Sequence, residues 1–75
     1  MIKIKDNVYL KELEKFGYLD MGNCYQKYDN WGTRIYVDKK TRIIERFHPY
    51  STIKTPSQDD IQDLIQADLV EKVSD

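Results

Sequence analysis

Cys24 is the only cysteine in this sequence, and it narrows what the chain can fold into. No disulfide can close within it. One Cys and one His also fall short of the four ligands of a structural zinc site. A chain of 75 residues must then rest on its own packing. At this size folding removes only roughly 60–65% of the unfolded surface from water, so the core is marginal. Domains this small often add a staple or a second copy. The expectation is one domain over residues 1–75, with a homodimer as one route to a larger core. A lone thiol fits a reducing compartment. No apolar run approaches the ~20 residues of a membrane span. Met1-Ile2-Lys3-Ile4-Lys5 alternates where an export signal would have an apolar centre. The expected address is the cytoplasm, with no membrane partner.

Periodicity predicts two helices and a small sheet. Ile2-Lys3-Ile4-Lys5 suits a short strand or extended arm. Asp6 and Asn7 are candidate caps for a helix over 8–16, with Tyr9, Leu13 and Phe16 on one face, Leu10 beside them, and Gly17 as the left-handed closing residue. Residues 24–28 read as a strand, as do 33–37, where Thr33, Ile35 and Val37 share a face. Asp38 caps a turn over 38–41, and 42–47 is the return strand of undetermined register. Pro49 demotes 48–54 to an irregular or edge segment. Thr55-Pro56-Ser57 opens a second helix over 57–67, with Ser57 and Asp60 as a short capping box. Its buried stripe is Ile61, Leu64 and Ile65, and Asp68 ends it before a last strand near 69–73. The expected fold is α+β: about three antiparallel strands plus a short C-terminal one, flanked by an N-terminal and a C-terminal helix, with one sheet face in water. The expected core includes Leu13, Phe16, Ile35, Ile61, Leu64 and Ile65.

Catalytic chemistry finds little support. His48 is the one imidazole, and Cys24 has no local motif that would make it a nucleophile. The acidic run 57–63 lacks the glycine and the ligand spacing of a calcium loop, and isolated glycines build no phosphate cradle. The reading is non-enzymatic, without a cofactor.

Charge is unevenly placed. Net charge is −1, yet residues 25–50 carry six Lys/Arg against three acids, and residues 51–75 carry two against six. The two regions can attract each other across the fold or steer partners. In the basic region Tyr25, Tyr28, Trp31 and Tyr36 interleave with Lys27, Arg34, Lys39, Lys40, Arg42 and Arg46. Such a surface fits single-stranded nucleic acid, a protein hot spot or plain cross-strand packing. Two partner-binding surfaces follow. One is the hairpin, through Trp31, Arg34, Tyr36 and Arg42. The other is the acidic helix, where Asp59, Asp60 and Asp63, continued by Asp68 and Glu71, would imitate phosphate charge.

With 4–8, 10–18, 36–42 and 63–73 in view, reading IKDNV, LKELEKFGY, YVDKKTR and DLIQADLVEKV, the chain resembles small uncharacterised proteins encoded by phages and prophages of Gram-positive bacteria. Several of these have Gly where this chain has Asp68, which fits a helix end there. The resemblance implies an accessory protein of a mobile element, working in the host cytoplasm. By analogy with other small phage proteins, the expected function is non-enzymatic inhibition of a host defence protein, a CRISPR nuclease among the candidates, in competition with nucleic acid. The alternative is a small nucleic-acid-binding regulator that uses the aromatic and basic sheet face.

Overall fold

The computed structural model describes residues 1–29 and 32–73. Its centre is a single sheet of six strands: β1 (Ile2–Ile4), β2 (Leu19–Asp20), β3 (Cys24–Tyr28), β4 (Arg34–Asp38), β5 (Ile43–Phe47) and β6 (Val70–Lys72). The order is β2-β3-β4-β5-β1-β6 and every neighbouring pair is antiparallel. β2 to β5 form a meander. β1 then packs beside β5 and accepts β6 on its other edge, so residues from opposite ends of the sequence become neighbours.

The fold is therefore mainly β, and the expected α+β sheet with flanking helices is corrected. The segment expected as a helix over 8–16 is a 3-10 helix, Leu10–Phe16. The segment over 57–67 is a 3-10 turn, Asp59–Ile61, running into a five-residue α-helix, α1 (Gln62–Gln66). Helices this short gain little from their own hydrogen bonds and take the winding that suits the sheet beneath. Winding also explains a misplaced face. At three residues per turn, Leu10, Leu13 and Phe16 line up, and Leu13 enters the core. Tyr9, on the expected α-helical face, is the N-cap and is 83% exposed.

Both helical segments stop by the same device. Gly17 adopts φ 89°, its N–H donates to the Glu14 carbonyl, and the Tyr18 N–H reaches back to Leu13 at 3.2 Å. Asp68 adopts φ 59°, its N–H donates to Ile65 at 3.0 Å, and the Leu69 N–H reaches Leu64 at 3.1 Å. These are Schellman closures, each bringing an apolar residue back over the helix it ends. The second helix opens on the reciprocal pair anticipated from sequence. The Ser57 N–H donates to the Asp60 carboxylate at 2.8 Å, and the Asp60 N–H donates to Ser57 Oγ at 3.3 Å.

Strand register sorts the side chains. Tyr25, Val37, Ile44 and Ile2 form a row across four strands on the covered face. Ile4, Leu13, Tyr18, Ile35, Ile61 and Leu64 complete the core with them. Two expected core residues differ. Phe16 is only partly buried. Ile65 is 39% exposed, because it sits at the lip of an open groove with Ile2, Pro56 and Val70. Across the β4–β5 turn, the Asp38 carboxylate accepts the N–H groups of Lys40 and Thr41 at 2.7 and 2.9 Å. The bond from Thr41, then that from Lys40, holds its pKa below the ordinary carboxylate value.

Candidate protein-docking surface

A β-strand sends alternate side chains to opposite faces. With Tyr25, Val37 and Ile44 facing the core, their neighbours must face away. The opposite face accordingly carries a row of Leu19, Gln26, Tyr36 and Glu45, of which Gln26 is buried, and a row of Tyr28, Arg34 and Phe47. Beyond them, Ile43 pairs with Lys3, which pairs with Glu71. The helical segments supply Leu13, Ile61 and Leu64 to the opposite, buried side. Leu19, Tyr28 and Phe47 are 62%, 54% and 50% exposed.

Arg34 is the middle of the second row, at one end of this face. Its guanidinium carbon lies 4.9 Å from the Tyr28 ring centroid and 5.9 Å from that of Phe47. Nη1 donates to the Tyr36 hydroxyl at a long 3.4 Å. That bond, followed by the charge interaction with Tyr28, raises the pKa of a group already permanently charged. Arg34 makes no ion pair among the described residues. The arrangement is an aromatic surface with one cation held in its middle.

Of the residues expected to bind a partner, Arg34 and Tyr36 come together here. Trp31 lies outside the described residues. Arg42 has a different task. It stands at φ 65° in the β4–β5 turn and points its Nη1 at the carbonyls of Lys5 and Val8, 2.7 and 2.6 Å away. It clamps the N-terminal segment to the hairpin.

Most of the acidic residues also pair with cations of the same chain. Asp63 meets Lys27 at 2.9 Å, and Asp60 meets Arg46 at 3.3 Å with both side chains largely covered. Asp68 pairs with Lys5 at 2.8 Å, and Glu71 lies 3.7 Å from Lys3. Asp59 alone among the five is exposed without an ion pair among the described residues. Lys39, a further part of the basic region, is bound to Asp20 at 2.7 Å. Much of the charge contrast seen along the sequence is thus satisfied inside the fold.

No Cys–His dyad assembles. Cys24 pairs with Asp38 at one end of the β3–β4 ladder, whereas His48 follows Phe47, the partner of Arg34 at the other end. At about 3.3 Å per residue along the strands, and about 4.8 Å for each strand crossed, the two are more than roughly 15 Å apart. His48 Nδ1 instead accepts the Tyr50 N–H at 3.1 Å and shapes a local turn.

Phe47 and Leu19 were not among the expected site residues. The missing signal was register: once Ile44 faces the core, Phe47, three positions on, faces away. No protein-family model, curated protein or solved structure matches the chain.

Proposed function

We propose that this protein acts by binding a partner protein, stoichiometrically and without catalysis, through the open face of its sheet. The observation that carries this reading is the row Tyr28–Arg34–Phe47, an arginine between two half-exposed rings on the face of the sheet turned away from the core. Aromatic rings and arginine are the groups that dominate binding energy at protein interfaces. The sequence resemblance suggests the partner class: a host defence protein, with the chain as its inhibitor. A nucleic-acid role is less well supported. Lys27, Lys39 and Arg46 neutralise acids of the same chain, so the sheet lacks the string of free cations that would follow a phosphate backbone.

The test is retrieval of a partner from Gram-positive host lysate treated with nuclease. Wild type should capture a defined protein, and a Tyr28→Ala, Phe47→Ala double variant with an unchanged circular dichroism spectrum should lose it. Each ring is worth about 1–2 kcal/mol at such a site. Capture of the same protein by the double variant would move the docking surface elsewhere. Loss of capture on nuclease treatment, with saturable and salt-weakened oligonucleotide binding, would favour the nucleic-acid reading.

A further inference from the structure

Seven Lys and Arg side chains in this chain are half-buried: Lys3, Lys5, Lys27, Arg34, Lys39, Arg42 and Arg46. Five of them face a carboxylate: Lys3, Lys5, Lys27, Lys39 and Arg46. Arg42 is held by two carbonyls. Among the described residues, Arg34 faces two rings and the Tyr36 hydroxyl, and no carboxylate. The other cations without an ion pair, Lys11, Lys40, Lys54 and Lys72, are exposed and amply hydrated. Resting on the docking reading above, we propose that Arg34 is the charge anchor of the surface and that the partner protein presents to it an Asp or Glu carboxylate set among apolar residues.

The chemistry is complementary in three respects. A guanidinium carries five N–H donors in a plane and takes a carboxylate two bonds at a time. Tyr28 and Phe47 flank that plane. The Tyr36 hydroxyl, accepting from Arg34, retains its own proton to donate. When apolar groups of a partner cover the two rings, water leaves and the charge pair strengthens. A polyphosphate fits less well. Glu45 stands opposite Tyr36 on the same face, and Lys3 is already engaged by Asp6 and Glu71.

A peptide library displayed on phage, panned on the intact protein, tests this. Peptides enriched on wild type should share an Asp or Glu flanked by aromatic or aliphatic residues, and should bind the Tyr28→Ala, Phe47→Ala variant poorly. In a synthetic peptide of the leading sequence, replacing that acid by its amide should weaken binding to wild type roughly tenfold or more. The same replacement should change little on an Arg34→Gln background. The peptide-side change leaves the fold untouched, so it decides the matter even if Arg34→Gln folds poorly. Enriched peptides without an acid that still need Tyr28 and Phe47 would overturn the carboxylate while leaving docking intact. Peptides indifferent to both rings, or none enriched, would remove the docking reading and this proposal with it.

Discussion

Arg42 shows how far a residue's role can lie from its sequence neighbourhood. After Lys39, Lys40 and Thr41 it reads as the first residue of the return strand and part of a docking surface, yet it takes a left-handed conformation that disfavours residues with a Cβ. Its side chain compensates by binding the carbonyls of Lys5 and Val8. Arg42→Ala should cost about 2–3 kcal/mol, because the charge-assisted bonds vanish while the unfavourable φ remains. Arg42→Gly should recover about 1 kcal/mol of that by relieving the backbone. Urea unfolding of the pair decides the point. An alanine variant within a few tenths of wild type would show that the clamp contributes little. The local signals around Arg42 were readable, namely Asp38 as a turn cap and a hairpin between two strands. The clamp was not, since its acceptors lie more than thirty positions away in sequence.

At the scale of elements, what could be read from the sequence was what is local. Gly17 and Asp68 were expected to end helices, and each does so in the left-handed region. The Ser57–Asp60 pair was likewise evident from spacing. The type of winding was not, because a helix of seven residues is decided by what it packs on. One strand was missed for a related reason: β2 is two residues long, too short for any periodicity to register. Asp68 also carries a testable cost. A residue with a Cβ in this conformation is less favourable than glycine, and its ion pair with Lys5 is exposed and contributes little. Asp68→Gly should therefore raise stability by about 0.5–1 kcal/mol, seen as a higher urea midpoint at unchanged slope. A lower midpoint would mean the ion pair outweighs the backbone term. In the same closure Leu64 is wholly buried, and Leu64→Ala should cost about 2–4 kcal/mol. A loss of only a few tenths would show that the site collapses around the smaller side chain.

Seen whole, the molecule settles its charges across long sequence distances. Lys27 with Asp63 and Arg46 with Asp60 tie the basic middle of the chain to its acidic helix, and no spacing rule could have matched those partners. The same scale bears on self-association. Val73 and Leu69 bond back to β1, so the free edge of β6 offers the N–H and C=O groups of Val70 and Lys72. A two-fold that extends the sheet keeps each face on its own side. Centred on Glu71 or on Lys72, it sets like charges directly opposite, which repel; centred on Val70, it sets Asp68 against Lys72 and does not.

The position of β1 has a kinetic consequence. Its residues pair on one side with β5 and on the other with β6, where Ile2 lies opposite Lys72. The β3–β4–β5 meander can form from near neighbours, whereas the β1–β6 ribbon must close nearly the whole chain into a loop, a contact whose entropy cost comes before any reward. During synthesis β1, made earlier, must then wait for β6. Substitutions in the two regions should separate in the folding and unfolding arms of a chevron plot. Ile35→Val, in the meander, should slow folding. Ile4→Val, at the closing ribbon, should leave the folding rate nearly unchanged and speed unfolding several-fold. The reverse pattern would place the ends of the chain in the folding nucleus, with the hairpins assembling around them.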